Sequence, residues 1–339
     1  MSGLRVAGCD PGTSSLDALV LEEGQVLAQT RFSPAQVRED PFAIVRWLHS
    51  NGPHVLVAAP SGYGLPLIRV EEVTPEQLRL LSLVRADEAN ASGVAGFSGL
   101  IDAFCHSLLP AVFLPGVVHL PEVPSWRKVN RIDLGTADKV CVAALAIAQA
   151  STPPEETSLL LVELGSAFTA CVVVHQGQIV DGLGGTVGSL GWGSGGGWDG
   201  ELAYLLGPLQ KADLFRGGCS ELPSELTAVA LTESVLRAVA GLLAVTDVPR
   251  IVLSGRLLDA QPEIAAQVEC SLHRLRPVQR LEPLSGAWVK AAAQGAAIIA
   301  NGLAGGRWAS LVNRLGIRQA KGTALDGVAP QWKARLRLA

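Results

Sequence analysis

The residues best equipped to do chemistry come in two short runs. Asp10-Pro11-Gly12-Thr13-Ser14-Ser15 follows one apolar stretch, and Glu163-Leu164-Gly165-Ser166 follows another. In each, an acid is followed two residues later by glycine and then by hydroxyl side chains. Aspartate, proline, glycine and serine also favour tight turns for steric reasons, so either run alone reads equally well as a plain turn. As a phosphate cradle the same residues have definite roles. Gly12 and Gly165 let backbone N–H groups approach an anion, Thr13, Ser14 and Ser166 donate hydroxyls, and Asp10 and Glu163 hold a hydrated Mg²⁺. Two such turns facing across a cleft could hold one Mg-nucleotide between them.

The two runs are copies of one pattern. A shift of 153 positions carries Val6-Ala7-Gly8-Cys9 onto Leu159-Leu160-Leu161-Val162, Asp10 onto Glu163, Gly12 onto Gly165 and Leu19-Val20-Leu21 onto Val172-Val173-Val174, without a gap. Such a repeat is the first thing to explain, because missing it miscalls the fold. It predicts two domains with the same β-rich start, residues 4–31 superposing on 157–184.

The elements that must position these turns follow from periodicity and punctuation. Residues 4–31 and their copy read as three short strands each, joined at Glu23-Gly24 and Gln176-Gly177. Asp40-Pro41 starts a helix that Gly52 ends. A buried strand of the parallel type spans 54–59 and runs into the loop Pro60-Ser61-Gly62-Tyr63-Gly64. Thr74-Pro75-Glu76-Gln77 is a capping box opening a helix. Further helices are expected over 92–109, 136–150, 201–206, 226–244, 263–270 and 287–301, with strands at 111–114, 250–253 and 277–281. Ser151-Thr152-Pro153-Pro154-Glu155-Glu156 is the linker. Domains are expected at 1–152 and 153–303, followed by a basic segment, 304–339. Strands alternating with helices, twice over, give an α/β protein with two sheets. The glycine tract from Gly182 to Gly200 carries Trp192 and Trp198, which would suit a lid.

Composition narrows the field. A length of 339 residues fits two domains, and 48% hydrophobic against 17% charged residues fills two cores. A formal charge of −4 gives no electrostatic case for nucleic acid or an anionic membrane surface. The six cysteines are scattered without metal-ligand spacing, which fits reduced thiols in a cytoplasmic protein. No uninterrupted apolar run reaches the ~18 residues of a membrane span. Gly191-Trp192-Gly193-Ser194-Gly195-Gly196 matches a dinucleotide fingerprint in letters but lacks the strand-to-helix setting. There is no P-loop and no nucleophile elbow.

The paired turns resemble the two phosphate hairpins of the actin-like ATPase superfamily, which includes sugar kinases and heat-shock chaperones. Ile251-Val252-Leu253-Ser254-Gly255 is similar to its adenosine loop, with Arg256 where a second glycine is usual. Ile132-Asp133-Leu134-Gly135-Thr136 and the helix near 291–302 resemble its inter-domain connections. Within the superfamily, the 57–67 loop, Asn90-Ala91-Ser92-Gly93 and Pro110-Ala111-Val112-Phe113 follow the order seen in acetate and butyrate kinases. The resemblance implies two ribonuclease H-like domains in tandem, an interdomain nucleotide cleft, ATP and Mg²⁺ as cofactors, and phosphoryl transfer to a small carboxylate. It places Ser254 and Gly255 at the nucleoside and Ser61, Tyr63, His119 and Asp133 near the acceptor, and leaves a homodimer open. Two arginines and an aspartate of those kinases are absent, at positions near Ser61, within 185–197, and near Leu114. Replacement cations are sought first in the cluster Arg127-Lys128, Arg131 and Lys139, with Arg131 and Lys139 as the catalytic candidates. The rival class is a nucleotide-binding regulator or ATPase without carboxylate kinase activity. A sugar or polyol kinase ranks third, because its aspartate base has no evident position.

Overall fold

The computed structural model describes residues 3–88 and 94–338. The expected helix start at Ser92 and the Asn90-Ala91-Ser92-Gly93 stretch lie outside them. The first sheet contains β1 (Arg5–Pro11), β2 (Leu16–Glu22), β3 (Gln25–Phe32), β4 (Leu56–Ala58), β5 (Ile68–Arg69) and β6 (Ala111–Phe113), in the order β3-β2-β1-β4-β6-β5. The second contains β7 (Leu159–Leu164), β8 (Thr169–His175), β9 (Gln178–Leu183), β10 (Ile251–Ser254) and β11 (Val278–Arg280), in the order β11-β10-β7-β8-β9. In both, an antiparallel double hairpin is extended by parallel strands, β4 beside β1 and β10 beside β7. This is the two-domain, α/β architecture of the actin-like fold.

The duplication extends to details of register. Strands β2 and β8 begin and end 153 positions apart. Each is bulged against its partner at the same place, Val20/Leu21 in the first half and Val173/Val174 in the second. The turns also match: Glu23 and Gly24 have φ of 48° and 77°, Gln176 and Gly177 50° and 74°. Two successive left-handed residues give the turn a twist that suits a tight hairpin. The first turn residue is not glycine in either half, and both carry the same local strain.

Seven described helices have eight residues or more: α1 (Ala43–Ser50), α2 (Pro75–Ser82), α3 (Val94–Cys105), α4 (Ala137–Ala148), α5 (Ser224–Val245), α6 (Pro262–Leu272) and α7 (Ala291–Leu303). Thr74 caps α2 as expected, its hydroxyl accepting from the Gln77 N–H at 3.3 Å. Helix α1 starts later than Asp40-Pro41 predicted. A short helix over Pro34–Glu39, capped by Ser33 and Gln36, ends at Asp40, so the expected cap is already the end of another element. Helix α7 starts at Ala291 rather than 287, because residues 282–290 are drawn out along the cleft.

Helices α4 and α7 are buried over most of their length and apolar on nearly every face, as helices enclosed between layers must be. They cross each other between the two sheets. Helix α4 closes the first half of the chain yet packs against β8 of the second sheet, while α7 closes the second half and packs on β1, β2 and β4 of the first. The approach is backbone to backbone. A Cβ at Gly295 of α7 would lie 1.8 Å from the Cys141 carbonyl oxygen of α4, and one at Gly8 of β1 would lie 2.1 Å from the Ala297 nitrogen.

Among the described residues one helix, α5, is long and apolar enough to cross a membrane by length and composition. Glu225, Glu233 and Arg237 interrupt it, and its Leu231, Val235, Val239 and Leu242 face packs into the core of the second sheet. The basic C-terminal segment folds back on the body. Leu311, Val312, Leu315 and Ile317 join the central core, and Arg314 donates to the Gln176 carbonyl at 2.7 Å.

Candidate active site

Both acid-glycine turns open on one cleft of about 1300 Å³ between the sheets. The turns are closed by the same bond: Gly12 N–H donates to Ser15 O at 3.0 Å, and Gly165 N–H to Phe168 O at 2.9 Å. Gly12, Thr13 and Ser14 are exposed at the cleft wall, and Gly165 and Ser166 line it opposite. Ser254 and Gly255 end β10 on the same wall as Glu163, which Ser254 faces in the parallel register. The structure thus gathers the predicted phosphate and nucleoside residues of both halves into one space.

The acids at the heads of the turns are not free. Asp10 Oδ2 lies 2.7 Å from the ammonium of Lys290, which also donates to the Ser15 carbonyl at 2.7 Å. Lys290 is fixed from behind, its backbone N–H donating to buried Asp17 at 2.9 Å. Asp17 is held in turn by Ser15 at 2.6 Å and Arg31 at 2.7 Å. In the other half, Lys139 of α4 bridges Glu163 at 3.0 Å and Asp138 at 2.7 Å, and Thr136 donates to Asp138. Burial pushes Asp10 and Glu163 above the ordinary carboxylate range despite their lysines. Burial works on Asp138 too, but the Lys139 ammonium prevails and holds it below that range.

Mg²⁺, assigned to Asp10 and Glu163 from the sequence, does not fit these carboxylates as they stand. The ion needs oxygens at about 2.1 Å in octahedral array. An ammonium already sits against each acid.

Two further cations reach into the cleft: Arg256, noted in the sequence only as a departure from the adenosine loop, and Lys211, which the sequence did not single out. Arg256, from the end of β10, donates to Ser14 Oγ at 2.5 Å and so joins the second lobe to the first turn. Lys211 crosses the cleft on a short helical segment, Lys211–Phe215. Its ammonium donates to Tyr63 Oη at 3.1 Å and lies 4.7 Å from that ring's centre, while its backbone N–H donates to Glu88 at 2.8 Å. Burial lowers the Lys211 pKa, against the pull of Asp133 and Glu88. Only the finished fold brings these groups together, and Lys211 belongs to no motif.

The predicted acceptor residues divide. Tyr63 lines the cleft beside Lys211. Ser61 lines it too, but its hydroxyl donates to Ala59 O at 2.7 Å and accepts from Leu114 N–H at 2.9 Å. The positions where an arginine and an aspartate are missing are therefore in direct contact, joined by a neutral hydrogen bond. Asp133 accepts three hydrogen bonds, from Gly135 N–H at 3.2 Å and from the Thr186 N–H and hydroxyl at 3.1 and 2.9 Å.

Two residues do not reach the cleft. His119 is buried behind it, 1% exposed, with Nδ1 3.2 Å from the Gly116 nitrogen and Nε2 without a partner. Arg131 is exposed outside it; its neighbour Arg127 is bound to Val180 O at 2.7 Å and to Asp181, and Lys128 to Leu120 O. Proximity to Asp133 in sequence misled here, because the chain turns at 131–135 and only Lys139, on α4, points back. The glycine tract lines the cleft only at its start, Gly185 and Thr186. Its backbone packs on the second turn, Gly193 and Ser194 N–H both donating to Ala167 O, and neither Trp192 nor Trp198 lines the cleft.

His119 yields a stability prediction. Burial lowers its pKa to about 4, with Lys128 adding to the effect and the Gly116 carbonyl and Asp326 opposing it. The unfolded chain takes up that proton below about pH 6.5, so stability present above that value is lost as pH falls towards the folded pKa, by on the order of 3 kcal/mol. Urea midpoints for wild type and His119→Gln, measured across that window, should diverge, the wild type showing the steeper loss. Parallel curves would refute the assignment.

The architecture defines the class: a two-lobed protein of the actin-like ATPase fold. An acetate kinase from Entamoeba histolytica matches with a TM-score of 0.57 at 11% identity, over 80% of this chain and 87% of that one. A propionate kinase from Francisella tularensis subsp. tularensis SCHU S4 matches with a TM-score of 0.57 at 14% identity, over 87% and 99%. At such identities the likeness is one of fold. No curated protein matches the sequence. The chain belongs to the family described as protein of unknown function (DUF1464), whose model matches residues 8–329.

Proposed function

We propose that this protein is a phosphotransferase that binds ATP between its lobes and passes the γ-phosphoryl group to a small carboxylate, as in the butyrate-kinase-like branch its sequence resembles. The observation that carries the reading is the convergence of both duplicated turns on one cleft, with Arg256 spanning from the nucleoside loop to Ser14. Phosphoryl transfer asks the protein mainly for positioning and charge neutralisation. Lys139, Lys290, Arg256 and Lys211 supply cations where the resemblance leads one to expect arginines.

The acids favour a carboxylate over a hydroxyl acceptor. A hydroxyl must lose its proton to a base. Of the acids lining this cleft, Asp10 is committed to Lys290, Asp138 and Glu163 to Lys139, Asp133 to Gly135 and Thr186, and Glu88 to the Lys211 N–H, which leaves Asp259 and Glu282, beyond β10 and β11. A carboxylate is already ionised. Its oxygen forms the new P–O bond, the bond from the γ-phosphorus to the bridging oxygen breaks, and ADP leaves with that electron pair. No proton moves.

The test is hydroxamate trapping of acyl phosphate with ATP and a series of short carboxylates, with and without added Mg²⁺. Lys211→Met should raise the carboxylate KM by more than about tenfold and leave ATP affinity unchanged. Protein that binds ATP yet traps no acyl group in the whole series would instead be a nucleotide-binding regulator. The occupied acids and absent arginines favour that second reading.

A further inference from the structure

The two acid-lysine pairs make a cation site that is already filled. Lys290 Nζ has three N–H bonds and three acceptors: Asp10 Oδ2 and Ser15 O, both at 2.7 Å, and Asp10 O at 3.4 Å. A Cβ on Gly12 would lie 2.4 Å from that nitrogen, so the first turn closes directly around the ammonium. The side chain is only 13% exposed and its backbone is anchored on Asp17. Lys139 differs in one respect. Two of its N–H bonds go to Asp138 and Glu163, no acceptor among the described residues takes the third, and the residue lines the cleft.

Position and charge together limit what else can bind. A divalent ion on Asp10 or Glu163 would stand beside an ammonium, and like charges at that range repel strongly in a site shielded from water. To enter, the ion must displace a lysine that is tied down at both its head and its backbone. The anionic end of a nucleotide meets Asp10, Asp138 and Glu163 too, but with their charge largely offset by the two lysines. It finds the N–H groups of the two turns, the remaining donor of Lys139, and Arg256 at the mouth of the first turn.

We propose that Lys290 and Lys139 are built-in cations that take the place of a divalent metal in this cleft, so that the phosphates of a nucleotide bind without Mg²⁺. The inference rests on the nucleotide reading above and adds to it the nature of the cation. Lys290 acts by charge at the first turn, and Asp10 is the positioning residue that holds it there.

The experiment is calorimetric titration of the full-length protein with ATP and with ADP, once in excess EDTA and once in excess MgCl₂. The expected result is binding in both, with dissociation constants within about threefold of each other. Affinity lower by more than about tenfold in EDTA overturns the inference and leaves the nucleotide reading standing. No binding under either condition overturns the nucleotide reading, and the inference falls with it. Lys290→Met should weaken ATP in EDTA by about tenfold and recover in MgCl₂, because the freed Asp10 can then take the ion. Should that variant not fold, the charge-balanced pair Asp10→Asn with Lys290→Met replaces it, with the same loss and no recovery. Unchanged affinity in EDTA for whichever variant folds overturns the role given to Lys290.

Discussion

Lys139→Met should lower the stability of the folded protein by about 3 kcal/mol, the cost of leaving buried carboxylates without their partner. The ammonium bridges Asp138 and Glu163, its side chain is 15% exposed, and Glu163 already has one buried oxygen, Oε2, without a partner. Methionine keeps the length and apolar stem, so lost packing adds little. Burial acts to lower the lysine's pKa, but Asp138 and Glu163 raise it above its ordinary value. A group raised in this way stabilises the fold below its unfolded pKa of about 10.4, so the full loss is seen at neutral pH and fades only in strong alkali. Adding Glu163→Gln to Lys139→Met should restore part of the stability, since it removes one stranded charge. Urea unfolding of the three variants measures this. A loss below about 1 kcal/mol would mean that solvent screens the pair as it does at a surface.

Gly295→Ala should also destabilise, against the sign that helix propensity alone gives. In an open helix the change is favourable by about 1 kcal/mol. In α7 the new methyl would sit 1.8 Å from the Cys141 carbonyl oxygen, and the obstacle is backbone rather than a side chain that can turn away. Helix α7 is also backed by Gly8 and β1, so it cannot retreat. Overpacking of this kind costs about 3 kcal/mol, and the net loss should be about 2 kcal/mol. Gly241→Ala in α5 is the control, because nothing lies within 4 Å of its Cβ. It should stabilise by about 1 kcal/mol. If both substitutions shift the thermal midpoint the same way, the close crossing of α4 and α7 is not tight in solution.

These two sites mark the boundary of what the sequence reveals. The turns, hairpins and duplication are legible because they rest on local rules: alternation, turn residues and a constant offset. That offset correctly places the first turn residues, the bulges and the closing bonds. The cations are another matter. Lys290 and Lys211 lie in stretches without a motif and Arg256 beside the Ser254-Gly255 turn, and what brings each to the site is a distance across the cleft. Arg131 shows the converse, a charge near Asp133 in the chain that the fold turns away. Glycine richness was ambiguous for a physical reason. It permits motion, but it equally permits backbone to pack on backbone, as where a Cβ on Gly182 would lie 2.0 Å from the Leu134 carbonyl oxygen. Only coordinates distinguish the two uses.

The exchange of helices makes the two halves depend on each other. The first half sends α4 to cover the second sheet and Lys139 to neutralise Glu163, and the second half returns α7 to the first sheet and Lys290 to Asp10. Each half taken singly has a bare sheet face and an acid without a counter-charge. A change at either closing helix is therefore felt at the other half's turn, and neither half can be altered at this seam without the other.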